Sequence, residues 1–79
     1  MSTNEHDTRI EVGFEGSQIM SALVTAEAAN ELEMALQSGM AGTLALDAED
    51  GRYTVTLARI VYLKRFAREG HLGFGVPSR

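Results

Sequence analysis

The dipeptide Asp50-Gly51 stands between two runs, "TLALDAE" and "RYTVTL", in which apolar and polar residues alternate. Alternation with a period of two is typical of strands that bury one face. An Asp-Gly pair between such runs favours a tight type I′ turn. The pattern therefore predicts a β-hairpin whose register places Leu46 opposite Val55 and Glu49 opposite Arg52.

An earlier stretch, "RIEVGFEGSQIMSALV", also reads as a hairpin. Gly16-Ser17 suits a two-residue type II′ turn, because its first central residue needs a positive φ. That turn places Phe14 opposite Ile19 and predicts that the apolar residues of the first strand share a face with Ile19. The opposite face then carries a second apolar set, formed by Met20, Ala22 and Val24.

The segment "TAEAANELEMALQSG" predicts a helix. Thr25 is a favourable N-cap, and Gly39 is placed to end the helix as the C′ residue. Between them an apolar stripe recurs at helical spacing and predicts the buried side of the helix. The stripe consists of Ala28, Ala29, Leu32, Ala35 and Leu36.

A further strand, "RIVYLKRF", follows a short break at Ala58-Arg59. The order of elements predicts a small α+β domain, ββαβββ, with a mostly antiparallel sheet of five or six strands and one helix on one face. The sixth strand would lie at Leu72–Phe74. We expect a tail at residues 1–8, a single domain at 9–76 and a second tail at 77–79.

One helix can cover only one face of such a sheet. A domain of 79 residues has a small core, and the absence of cysteine rules out disulfide support. We therefore expect the uncovered face to be buried in a homodimer or against an unidentified protein partner. The predicted interface residues are Met20, Ala22, Val24, Ile60, Tyr62, Leu72 and Phe74.

Charge is distributed unevenly along the chain. Residues 1–51 carry ten acidic and one basic side chain, whereas residues 52–79 carry six basic and one acidic. A cluster of cations with interleaved aromatic residues can bind nucleic acid, so a nucleic-acid-binding regulator is the alternative function. Its candidate residues are Arg52, Arg59, Lys64, Arg65 and Arg68. Alternation along a strand sends Lys64 and Arg65 to opposite faces, which argues against one continuous basic surface.

The glycine-rich stretch "EGHLGFG" raises a second alternative, a small-anion or nucleotide site. Phosphate-binding loops use glycine backbone N–H groups, but they also open a helix, and a Walker loop adds a lysine. Here neither lysine nor helix pattern follows, and packing of Leu72 and Phe74 is the simpler interpretation. The candidate anion-binding residues are Gly70, His71, Gly73 and Gly75.

Patterns for catalysis or metal binding are missing from the sequence. The only histidines, His6 and His71, lie near opposite ends, and no serine stands in a Gly-x-Ser-x-Gly elbow. "DAEDGR" lacks the ligand spacing of a calcium loop. We therefore expect no enzymatic activity, no metal and no cofactor.

Neither a membrane-spanning run nor the basic-then-apolar layout of a signal peptide is present, which predicts a soluble cytoplasmic protein. The order "TAEAANELEMAL", "TLALDAEDGR", "ARIVYLKR" and "LGFG" resembles a family of short actinobacterial proteins of unknown function, over about residues 9–75. "VYLKRF", "GHLGFG" and "TLAR" depart from the pattern of that family. The resemblance implies a small α+β regulatory or accessory protein and no catalytic residues. Our leading prediction is a non-enzymatic, homodimeric interaction module.

Overall fold

A computed structural model describes residues 5–67 and shows one helix packed on a five-stranded antiparallel sheet. The strand order across the sheet is β4-β3-β2-β1-β5, so the two edge strands are β4 and β5. This confirms the predicted α+β class with five strands and one helix; the proposed strand at Leu72–Phe74 lies outside the described residues. In chain order the elements are β1 (Thr8–Phe14), β2 (Gln18–Val24), α1 (Ala26–Gln37), β3 (Thr43–Ala48), β4 (Gly51–Thr56), a 3₁₀ turn (Leu57–Arg59) and β5 (Ile60–Arg65).

Both ends of α1 are capped as predicted. The Thr25 hydroxyl accepts a hydrogen bond of 3.0 Å from the Ala28 N–H, which satisfies one of the free donors of the first turn. At the other end Gly39 has a φ of 71°. The Met40 N–H donates to the Ala35 carbonyl at 3.0 Å, the bond that defines a Schellman motif.

The core lies between α1 and one face of the sheet. Leu32 and the predicted alanines Ala28, Ala29 and Ala35 are buried, and Leu36 is half-buried beside them. Small alanines on the helix allow the larger strand residues to fill the space between the two layers. The largest fully buried side chains are Ile10, Leu32, Leu46, Val12 and Val24.

The register of the β1–β2 hairpin differs from the prediction by one residue. Phe14 pairs with Gln18, not Ile19, so the loop has three residues, and both Gly16 and Ser17 adopt positive φ, at 86° and 68°. Because side chains alternate between faces, a shift of one residue moves every side chain of β2 to the other face. The predicted placement of β2 was therefore wrong.

As a result, part of the predicted uncovered set lies on the helix side. Val24 is fully buried in the core, and Met20 and Ala22 pack against it. Ile60 also packs against the core, because β5 contains a bulge opposite Gly13 and Phe14 that reverses the alternation. Of the predicted interface residues within 5–67, only Tyr62 lies on the face away from the helix.

The β3–β4 hairpin shows a shift of a different kind. Its loop is Glu49–Asp50, and Leu46 pairs with Tyr53 instead of Val55. This is a displacement by two residues, which preserves the face of every side chain. The prediction that the apolar residues of both strands share one face is therefore confirmed, and Leu46 and Val55 are both buried.

The short connection between β4 and β5 makes the sheet curl. A flat sheet would separate its two edge strands by about 19 Å. The four chain steps from Thr56 to Ile60 span at most about 14 Å, and the 3₁₀ turn shortens this further. The edges must therefore approach each other at this end.

Two observations agree with this curvature. The Glu15 N–H donates to the Arg59 carbonyl at 2.9 Å, which joins the β1–β2 loop to the connection. On the other side of the sheet β2 and β3 share a single residue pair, Val24 with Ala48. The β3–β4 hairpin therefore diverges from β2, and the core residue Leu57 fills the corner.

Leu32→Ala should lower the free energy of unfolding by about 2–5 kcal/mol, because it leaves a cavity under the helix. Met34→Ala on the same helix, where Met34 is 66% exposed, should change that free energy by less than about 0.5 kcal/mol. Chemical denaturation followed by circular dichroism measures both. Equal effects would contradict the assignment of the buried helix side.

Candidate functional site

The sheet face opposite α1 is the candidate interaction surface, here called the uncovered face. The registers of β2, β1 and β5 arrange it in rows that run across the three strands. One row contains Ile19, Gly13 and Tyr62, and the next contains Ser21, Glu11 and Lys64. Leu23 and Arg9 form the third row, with Phe66 just beyond the end of β5.

Gly13 allows an aromatic side chain to lie against the backbone of the sheet on this face. The ring of Tyr62 lies across the glycine, so that a Cβ at position 13 would overlap the ring. Gly13 is consequently buried although it stands on the face that the helix does not cover. A glycine inside a strand often marks such a close approach.

The Tyr62 hydroxyl is held by a carboxylate on the neighbouring strand. It donates a hydrogen bond of 2.5 Å to Glu11 Oε2. This hydrogen bond raises the pKa of Tyr62 above its usual value of 10.0, and burial and the negative charge of Glu11 act in the same direction. The Tyr62 side chain is thus held at two points: its ring lies against Gly13, and its hydroxyl is hydrogen-bonded to Glu11.

Two cations flank a second aromatic ring. Arg9 and Lys64 place their charged groups 5.6 Å and 4.5 Å from the centroid of the Phe66 ring, within the range of cation–π attraction. The Phe66 N–H donates to the Arg9 carbonyl at 3.0 Å, which extends the pairing of β5 with β1 by one residue. These two cations are therefore engaged within the chain.

Apolar exposure is concentrated at one corner of this surface. Ile19 is 62% exposed, Tyr62 is 40% exposed and Val61, in the bulge beside Tyr62, is 66% exposed. The remaining large exposed apolar residues among those described, Met34 and Met40, lie on α1 and in the loop after it.

The residues predicted to bind nucleic acid do not form one surface. Arg52 and Lys64 point to the uncovered face but stand on the opposite edge strands β4 and β5. Arg65 lies on the helix side, where its guanidinium contacts Asn30 Oδ1 at 2.9 Å and Glu33 Oε1 at 3.0 Å. Arg59 lines a cavity beside the β1–β2 loop. Arg68 lies outside the described residues.

The predicted anion-binding residues Gly70, His71, Gly73 and Gly75 also lie outside the described range, as do Leu72 and Phe74. His6 falls within it, and its Nε2 lies 3.3 Å from Asp47 Oδ1, a contact that is an ion pair when the imidazole is protonated. Within residues 5–67 no group of histidine and acidic side chains could hold a metal ion.

Sequence reasoning missed Ile19, Leu23, Glu11 and Gly13 as members of this face. Ile19 was missed because the incorrect register placed it on the same face as the apolar residues of β1, which is the helix side. A usable signal existed for Gly13, because an isolated glycine inside a strand pattern indicates a bulge or a close approach. Both occur here, with the bulge in the partner strand and the aromatic ring above the glycine.

Comparison with protein-family models, with curated proteins and with solved structures finds no match for this chain. The fold and the face define it as a small α+β domain whose antiparallel sheet has α1 on one side only. Among the described helices, none is long and apolar enough to cross a membrane.

Gly13→Ala should force the Tyr62 ring off the sheet and destabilise the fold. In a Tyr62→Ala background the same substitution should instead stabilise it by about 0.5–1 kcal/mol, because alanine is less flexible than glycine in a strand. A double-mutant cycle by chemical denaturation should therefore give a coupling energy of about 1 kcal/mol or more. Additive effects would show that the ring does not lie on Gly13.

Glu11→Gln should lower the pKa of Tyr62 towards its usual value. The raised pKa means that the contribution of this hydrogen bond to stability is fully present below pH 10.0 and is lost as the pH rises through the folded-state value. Tyrosinate absorbance measures the titration, since the chain has two tyrosines and no tryptophan.

Tyr53 needs a control in this titration, because its hydrogen bond to Asp50 Oδ2, of 2.9 Å, also raises its pKa. Tyr53→Phe leaves Tyr62 as the single titrating phenol. An unchanged titration of Tyr62 on adding Glu11→Gln to that variant would contradict the hydrogen bond.

Proposed function

We propose that this protein is a non-enzymatic interaction module that forms a homodimer through its uncovered face. The observation that carries the proposal is the exposed apolar corner formed by Ile19, Val61 and Tyr62 on and beside a sheet face that the helix leaves open. Clustered apolar side chains of this kind mark interaction surfaces.

The immobilised ring of Tyr62 supports the same use of the face. Aromatic residues are frequent anchors of protein interfaces, and an anchor held in place before binding loses little conformational entropy on binding. Tyr62 is held in this way by Gly13 and Glu11. Tyr62 remains 40% exposed and can contact a partner.

The charges on this face favour a second copy of the chain over a nucleic acid. The registers place three cations and two carboxylates on it, Arg9, Lys64, Arg52, Glu11 and Asp47. A two-fold symmetric interface joins a surface to itself, so it needs charges of both signs. A polyanion would instead meet the carboxylates, one of which, Glu11, stands in the central row beside Lys64.

The size of the face sets the expected strength of the dimer. Five strands spaced by about 4.8 Å and about 20 Å long give a face of about 500 Å². Two copies would bury about 1,000 Å² in total, less than the roughly 1,200–2,000 Å² that stable specific interfaces bury. We therefore expect a dimer that dissociates on dilution.

Size-exclusion chromatography with light scattering over a dilution series tests the proposal. Ile19→Asp should raise the dissociation constant of the dimer by about tenfold or more, because a buried isoleucine contributes about 1.5–3 kcal/mol. Met40→Asp is the matched control: Met40 is 55% exposed in the loop after α1 and should leave dissociation unchanged.

Ile19→Thr is a second variant for the case that Ile19→Asp does not fold, because threonine keeps a β-branched side chain in the strand. It should raise the dissociation constant of the dimer by a smaller factor. A monomer at every concentration would overturn the proposal. A high ratio of absorbance at nucleic-acid to protein wavelengths, lost in high salt, would overturn it in favour of the nucleic-acid alternative.

A further inference from the structure

An open cavity of about 500 Å³ lies between the tip of the β1–β2 hairpin and β4. It exists because the sheet curls at the short connection between β4 and β5 while the β3–β4 hairpin diverges from β2. Its volume lies within the range of small-molecule sites, which is about 300–1,000 Å³.

The floor of the cavity is apolar. Phe14 and Met20 are partly buried and pack against the core, and Val55 is 5% exposed. These three side chains come from β1, β2 and β4, so the floor is held by three separate strands. A ligand with an apolar group of modest size could bury that group here.

The rim of the cavity carries one acidic and one basic side chain among the residues that the structure describes. Glu15 follows β1 and Arg59 ends the 3₁₀ turn, and their backbones are joined by the hydrogen bond described above. The other polar lining residues, Gln18, Tyr53, Thr54 and Thr56, carry no charge at neutral pH.

Neither rim charge is neutralised within the part of the chain that the structure describes. The ion pairs formed among residues 5–67 are His6 with Asp47 and Arg65 with Glu33. The guanidinium of Arg59 and the carboxylate of Glu15 are therefore both available to groups of opposite charge.

We infer that this cavity binds a free apolar amino acid of the size of leucine or phenylalanine. The α-carboxylate would pair with the guanidinium of Arg59, which suits planar carboxylates. The α-ammonium group would pair with Glu15, and the side chain would lie on Phe14, Met20 and Val55. The rim charges complement a zwitterion, whereas a simple anion would meet the carboxylate of Glu15 and a simple cation the guanidinium of Arg59.

Titration of the full chain with L-leucine, followed by amide chemical shifts in NMR, tests the inference. Binding should shift the amides of the cavity residues Thr54, Val55 and Thr56 and leave Ile19 and Tyr62 on the uncovered face unchanged. Leucinamide lacks the carboxylate, N-acetyl-leucine lacks the ammonium group and glycine lacks the apolar side chain. Each should bind about tenfold or more weakly than leucine, because each leaves one partner group unused.

Substitutions at the rim show which residue binds the α-carboxylate and which binds the α-ammonium group. Arg59→Gln should weaken leucine to the affinity of leucinamide and leave the affinity for leucinamide unchanged. Glu15→Gln should weaken leucine to the affinity of N-acetyl-leucine and leave the affinity for N-acetyl-leucine unchanged. Arg52→Gln, on β4 but outside the cavity, is the matched control and should bind leucine as the unmodified chain does.

Absence of shifts at saturating leucine would overturn the inference. So would shifts confined to the uncovered face, or equal binding of leucine, leucinamide and N-acetyl-leucine. Ile19 and Tyr62, which carry the proposed dimer contact, do not line the cavity, so dilution experiments on the dimer and titrations of the cavity succeed or fail independently.

Discussion

The pairing of β1 with β2 is the constraint on which the rest of the structure depends. A three-residue loop, with Gly16 and Ser17 at positive φ, places Phe14 opposite Gln18. This register directs Val24 under the helix, where the core needs it, and directs Ile19 to the uncovered face. A two-residue loop would exchange these roles, exposing the side chain that is now fully buried.

The bulge in β5 is a second feature that sets the face on which each side chain lies. It lets Ile60 and Leu63 both pack towards the helix while Tyr62 turns to the other side. Tyr62 can lie flat there only because position 13 carries no side chain. Bulge, glycine and hydrogen bond to Glu11 thus act together to fix one aromatic ring on an otherwise mixed surface.

The connection from β4 to β5 forms part of the cavity, and the cavity differs in character from the uncovered face. By drawing the sheet edges together it creates the cavity beside Glu15 and Arg59. The cavity is small, with one charge of each sign at its rim, whereas the uncovered face is broad and carries apolar residues at one corner. The proposed dimer contact and the proposed ligand site therefore use different features of a single sheet.

The sequence by itself determined the element order, the helix with its Thr25 and Gly39 caps, and the shared apolar face of the β3–β4 hairpin. These follow from local periodicity and capping, and the error of two residues in that hairpin left its faces intact. Tertiary structure alone decided the faces of β2 and β5. A strand's side chains repeat every two residues, so one extra loop residue or one bulge reverses them, and burial of Val24 and Ile60 against the helix selects between the alternatives.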